Sequence, residues 1–326
     1  MARLLMVFTG GTISMRVDAV EGVAVPALSG PELLSLAPEA AGLAEIEPVD
    51  FARMPGWHVT PERMWELSEL VNLHLEREEI SGVVITHGTD TIEETAFLLD
   101  LRLTSPKPVV LVGALRNSSD AGWDGPANIL AAVRTAVDPG ARGRGALVVL
   151  NDTIHAASEV VKAHTHALDA FRSPTFGPLG VVEKDGLHWR RALTGRRTIP
   201  GFRIETDVEL FTMAAGVCGR AIEHAVAAGT QGIVLEGTGR GNVPPAAVAA
   251  IQHALDAGIP VIMTSRCGEG RVLDVYGGPG SARDLRSRGV ILGGSLAGPK
   301  ARILLMTILG STRDPVRIKE IVEQGA

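Results

Sequence analysis

Short apolar runs rich in Val, Ile and Leu recur along the chain, at residues 4–8, 82–86, 108–112, 146–150, 232–235 and 260–264. They are continuous rather than alternating, which predicts strands buried on both faces, as in a parallel sheet. Between them the apolar positions change to spacings of three and four. Residues 61–78 place Met64, Leu67, Leu70, Val71 and Leu75 on one helical stripe, and Thr60 before Pro61 supplies an N-cap followed by proline at the first helical position. Residues 91–103 and 126–136 repeat the pattern, as do the Ala-rich stretches 212–228 and 244–257, each closing near a glycine, Gly229 or Gly258.

Strand and helix thus alternate throughout, the signature of an α/β fold with helices on both faces of a mostly parallel sheet. A chain of 326 residues is longer than one core usually spans. Two open, mostly parallel α/β domains follow. Residues 193–207 (LTGRRTIPGFRIETD) carry Gly195, Pro200, Gly201 and several charges with little periodicity, and predict the linker between domains at 1–192 and 208–326. A second irregular stretch, residues 14–29, follows the first strand directly and reads as a connecting loop or a mobile lid. No internal repeat is present.

Composition narrows the function. With 45% hydrophobic and 21% charged residues the chain can bury a large core. The net charge of −6 and the scattered placement of 31 Lys and Arg lack the basic stripe of a nucleic-acid binder, so a small molecule is the expected partner. Cys218 and Cys267 stand in no CxxC pair and near no metal-ligand pattern, and read as buried small hydrophobes. No window holds the ~18 to 20 apolar residues of a membrane span. The opening MARLLMVFTGGTI runs straight into a strand without signal-peptide character, which predicts a cytoplasmic protein.

In an open parallel sheet, ligands bind beyond the carboxyl ends of the strands. Three such ends are rich in polar groups. Thr9-Gly10-Gly11-Thr12 has two glycines that permit a tight turn and expose backbone N–H groups able to stabilise an oxyanion; the plainer reading is an ordinary glycine turn. Thr86-His87-Gly88-Thr89-Asp90-Thr91 ends the run at 82–86. Part of it serves as an N-cap by Thr89, Asp90 or Thr91 for the following helix, with Glu93 and Glu94 favourable in its first turn. Capping does not account for the remaining threonines and the histidine. The third is Lys162, in VKAHT, which by itself reads as a solvated charge. Together the three supply hydroxyls as nucleophiles, a lysine able to accept a proton if burial depresses its pKa, and an aspartate to orient it. Such a set suits acyl transfer.

These residues resemble the bacterial-type L-asparaginases, with the related glutaminase-asparaginases and the amidotransferase subunit acting on misacylated glutaminyl-tRNA. The resemblance runs through TGGTI at 9–13, ITHGTDTIEETA at 85–96, VGALR at 112–116, DGPANI at 124–129, VKAHT at 161–165, FRSPTFGPLG at 171–180, GTGRGNVP at 237–244 and GPKAR at 298–302. It implies a larger N-terminal and a smaller C-terminal α/β domain, in a homodimer or homotetramer with active sites between subunits. It implies no metal and no cofactor. By the same resemblance Thr12 matches the nucleophile of the N-terminal motif, and Thr89, Asp90 and Lys162 match a second triad. The reaction implied is displacement of ammonia by a threonine hydroxyl, then hydrolysis of the ester. Gly11, Gly88 and the segment Gly56-Trp57-His58 match substrate-binding positions, and Asn242 the position that a neighbouring subunit contributes.

Three departures surround the amino-acid head group. The loop at 14–29 has no tyrosine to activate Thr12, the only tyrosine being Tyr276. Where relatives place a serine and a second polar residue for the substrate's α-groups, this chain reads Pro55-Gly56-Trp57-His58. Where some supply a glutamate, it has Ser281-Ala282-Arg283. Each lost charge-assisted contact weakens binding roughly 10- to 150-fold. Amide hydrolysis is therefore better founded than asparagine specificity. L-asparaginase leads, with hydrolysis of another small amide, a tRNA-dependent amidotransferase subunit and a non-catalytic amino-acid sensor as alternatives. The amidotransferase relatives carry a further N-terminal domain, whereas this chain starts at its first strand.

Overall fold

A computed structural model describes residues 1–324. The chain divides into two compact units, Met1–Thr198 and a second starting at Ile199. The first holds β1 (Ala2–Gly10), β2 (Met15–Val17), β3 (Ala24–Pro26), α1 (Gly30–Ser35), α2 (Pro38–Ala41), β4 (Ala44–Met54), α3 (Pro61–Leu75), β5 (Ile80–Thr86), α4 (Ile92–Arg102), β6 (Val109–Val112), α5 (Gly125–Val137), β7 (Ala146–Leu150), β8 (Thr153–Ala156), β9 (Val161–Lys162), β10 (Phe171–Arg172), β11 (Gly180–Glu183) and β12 (Gly186–Trp189). Its main sheet has eight strands in the order β12-β11-β8-β7-β6-β5-β1-β4. Strands β4, β1, β5, β6 and β7 run parallel, and β8, β11 and β12 extend the sheet antiparallel.

The continuous apolar runs are explained by burial on both faces. Leu4, Met6 and Phe8 of β1 join Val84, Val110 and Val112 against Ile129 and Val133 of α5. Leu5 and Val7 join Val83, Ile85 and Leu111 against Leu67 and Val71 of α3 and Leu99 of α4. Helix α3 starts as expected, with the Thr60 hydroxyl accepting from Arg63 N. At the β7–β8 corner Asn151 and Asp152 adopt φ of 49° and 55°, the left-handed pair that a tight hairpin needs.

The second unit holds β13 (Val208–Thr212), α6 (Arg220–Ala228), β14 (Gly232–Gly237), α7 (Val248–Asp256), β15 (Val261–Ser265), α8 (Ala282–Arg288), β16 (Ile291–Leu292), α9 (Gly298–Leu309) and α10 (Pro315–Glu323). Its four strands lie side by side in chain order, all parallel. Ile233, Leu235, Val261 and Met263 pack on Ile222, Ile251 and Leu285.

Three expectations are corrected and one strand is new. Residues 212–219 are not helical: Thr212 closes β13, and Gly216 and Gly219 take φ of 81° and 77°, so the Ala-rich helix begins only at Arg220. The stretch 14–29 is not wholly irregular, because β2 and β3 pair as an antiparallel ribbon. Cys218 and Cys267 are exposed, since both lie in loops outside the packed elements. The eleven-residue β4 escapes the apolar pattern because it is an edge strand, interrupted by Pro48 and mixed with charges. Among the described residues no helix is long and apolar enough to cross a membrane.

Candidate active site

The loops that follow β1, β4 and β5 meet at three glycines. A methyl group on Gly11 would overlap the backbone of Gly88, and one on Gly88 would overlap that of Gly56. Gly11 takes φ 85°, a conformation that a side chain would strain. Hydrogen bonds lock the contact: Gly11 N donates to Met54 O at 2.9 Å, and the Thr91 hydroxyl donates to Gly56 O at 2.7 Å. Thr9 donates to Thr86 O at 2.8 Å, tying β1 to β5.

Thr91 is therefore the N-cap residue of α4 by position only, because its hydroxyl serves the β4 loop instead of the helix. Asp90 is likewise engaged elsewhere. Lys162 Nζ donates to Asp90 Oδ1 at 2.6 Å and to Thr89 Oγ1 at 2.9 Å, the latter joining residues 73 positions apart. The lysine side chain is 15% exposed and that of Asp90 48%, so the pair faces a small open pocket walled by Ala163, His164 and Thr165. Thr12 opens a short 3-10 turn directly after Gly11. Trp57 is 64% exposed and meets His58 edge to face.

His87 is buried beneath the Thr89 loop. Gly88 O can only accept, so His87 Nδ1, 2.8 Å away, carries the proton, and Nε2 accepts from the Thr95 hydroxyl at 3.0 Å. Burial holds its pKa down, from 6.5 to about 4. The ring is thus a neutral strut under the loop. The hydroxyl-rich hexapeptide explains itself this way: Thr86 O, His87 and Thr91 brace the loop that presents Thr89 and Asp90.

Asn242 belongs to the second unit, where its backbone bridges Thr238 and its Oδ1 accepts from Ala282 N at 3.2 Å. Ser281 is buried and caps α8, its hydroxyl oxygen accepting from Asp284 N.

The N-terminal asparaginase family model matches residues 3–194, and the glutaminase/asparaginase C-terminal domain model matches residues 207–322. The L-asparaginase of Bacillus licheniformis is 36% identical over 320 residues, covering 97% of this chain and 98% of its own. The chain belongs to the asparaginase family. Within it, a glutamyl-tRNA(Gln) amidotransferase component of Pyrococcus furiosus is 34% identical over 96% of this chain and 73% of that protein. The crystal structure of the probable cytoplasmic L-asparaginase of Campylobacter jejuni superimposes with a TM-score of 0.89 at 32% identity, covering 99% of this chain and 100% of the other.

Two of the motifs tie loops together. In VGALR and DGPANI, Asp124 accepts from Leu115 N at 3.0 Å, Arg116 N at 2.9 Å and Asn128 Nδ2 at 3.0 Å, while Asn128 Oδ1 accepts from Asn151 N at 3.0 Å. These asparaginase motifs bracket the loops after β6 and β7. Glu93 goes beyond its expected part: besides lying in the first turn of α4, it accepts from the backbone N of Lys162 at 3.0 Å.

Proposed function

We propose that this chain is an amidohydrolase of the L-asparaginase type, converting L-asparagine to L-aspartate and ammonia through a threonine ester. The observation that carries the reading is Lys162 Nζ within hydrogen-bond reach of both Thr89 Oγ1 and Asp90 Oδ1, in a chain of the asparaginase family. A threonine hydroxyl is a weak nucleophile until a positioned group removes its proton. In the proposed scheme the Thr12 oxygen bonds to the amide carbon, its proton passes to the amide nitrogen, and the C–N bond breaks to release ammonia. Thr89, held on Lys162, then takes a proton from the attacking water as it gives its own to Lys162, which passes one to Asp90; the acyl–Thr12 ester bond breaks, and the proton held on this relay returns to the Thr12 oxygen as the acid leaves. The backbone N–H of Gly88 is the proposed oxyanion donor, that of Gly11 being taken by Met54 O.

Gly56, Trp57 and His58 form the proposed binding side for the rest of the substrate. An exposed tryptophan in place of a serine hydroxyl favours a second reading, a small amide other than asparagine. The Campylobacter jejuni relative supports a cytoplasmic location. The test is ammonia release from asparagine, glutamine and a panel of other small amides by the purified protein. Binding of asparagine with no ammonia from any amide would remove the hydrolase reading in favour of a sensor.

The same proposal has the chain act as a homodimer or homotetramer in which Asn242 of one copy reaches the site of another. Active protein should then sediment at a multiple of 34.2 kDa. Full activity in a species of a single chain would contradict it.

A further inference from the structure

The tip of Lys162 is held by Thr89 and Asp90, and a separate contact holds its backbone. Lys162 ends β9, a strand of two residues paired with the equally short β10, outside the eight-stranded sheet. Lys162 pairs with Phe171 and Val161 with Arg172. A two-stranded ribbon is marginal in water, and this one is fixed to the core through Phe171 and the flanking Val160 and Ala170 rather than through Lys162 itself. It does not by itself hold a lysine to the tolerance of a few tenths of an ångström that proton transfer requires. Glu93 adds a direct restraint on the backbone of the lysine itself. Its Oε2 accepts from Lys162 N at 3.0 Å, while Asp90 Oδ1 accepts from Lys162 Nζ at 2.6 Å. One short segment, anchored to Gly56 through Thr91 and continued by α4, thus grips both ends of the same lysine.

We infer that Glu93 is a positioning residue for the proposed amide hydrolysis, setting the backbone of Lys162 so that its Nζ reaches Thr89 and Asp90 together. The inference rests on the reading of Lys162 as the group that handles the proton. The plainer role for Glu93 is a negative charge at the start of α4, favourable to the helix dipole. The two roles separate cleanly, because a helix charge requires ionisation whereas positioning requires only an acceptor oxygen at the right reach. Glutamine keeps the oxygen and loses the charge.

The experiment compares kcat, KM and the unfolding midpoint for wild type, Lys162→Met, Glu93→Ala and Glu93→Gln in an ammonia-release assay. Glu93→Ala should lower kcat on the order of 10- to 100-fold, the usual cost of misplacing a reacting group by about an ångström, with KM within about twofold. Glu93→Gln should restore most of that turnover. If Glu93→Ala fails to fold, Glu93→Asp, one methylene short of Lys162 N, carries the same expectation. A helix-charge role would instead lower the midpoint in both Ala and Gln variants and leave kcat unchanged, which overturns the inference. So does equal loss of turnover in Ala and Gln. Should wild type release no ammonia, or Lys162→Met retain its rate, the functional reading itself falls and takes this inference with it. Full activity of Glu93→Ala in an enzyme that needs Lys162 overturns the inference alone.

Discussion

His87 shows how one side chain under the site couples to stability. Its neutral ring bridges Gly88 O and the Thr95 hydroxyl, and its folded pKa lies near 4 against 6.5 for a free imidazole. Between those values the unfolded chain binds a proton that the folded chain does not, so stability rises with pH across this window. The contribution is complete above pH 6.5 and is lost as pH falls towards 4, a difference of about 3 kcal/mol. Urea unfolding from pH 7 to pH 4 should show this slope in wild type and a flatter one in His87→Gln. Equal slopes would mean that the histidine is not the titrating group. Thr89 and Asp90 are legible in the sequence as polar groups at a strand end; Lys162 is not at the end of the run 146–150 but in the β9–β10 ribbon outside the main sheet, and nothing local reveals that residues 73 apart share a hydrogen bond. Glu93 is hidden for the same reason: its bond to Lys162 crosses 69 positions, while its local context offers a sufficient helix-dipole role.

Among elements, the loops after β1, β4 and β5 converge only because each brings a glycine to the meeting point. Gly88 sits in the middle, lying against both Gly11 and Gly56. Gly88→Ala forces these backbones apart, so it should destabilise by about 1 to 3 kcal/mol and lower turnover more than the fold loss explains. Activity and a urea midpoint both at the wild-type level would contradict that packing. The strands at the centre of the sheet are readable because burial on both faces leaves continuous apolar runs. Edge strand β4 is not, since charges and Pro48 hide its period. The overlong helix at 212–228 has a similar origin: alanine content favours helix locally, but Gly216 and Gly219 adopt positive φ and stop it. In the β2–β3 ribbon the turn is held by Asp18, whose carboxylate accepts from Val20 N and Glu21 N, a local tie within a stretch that composition alone marks as irregular.

Over the whole molecule, family membership and the strand–helix alternation agree on two α/β units, each with its own sheet and core. Residues 193–207, expected as a linker, are tied down on both sides of the unit boundary at Thr198. Arg196 donates to Asp100 Oδ1 at 2.9 Å and to the carbonyls of Asp100 and Leu103, closing the end of α4 in the first unit. In the second, Pro200 O accepts from Ser311 and Glu205 pairs with Arg313. Such long-range ties are invisible to composition, which shows only glycine, proline and charge. In the proposed scheme this scaffold holds Lys162 where it serves amide hydrolysis by the threonines. The most direct test is ammonia release from asparagine by wild type and Lys162→Met, with the unfolding midpoint followed in parallel. Wild type should release ammonia, and the variant should lose on the order of 10³-fold or more of that turnover with its midpoint little changed. A Lys162→Met protein that turns over within a few-fold of wild type would contradict it.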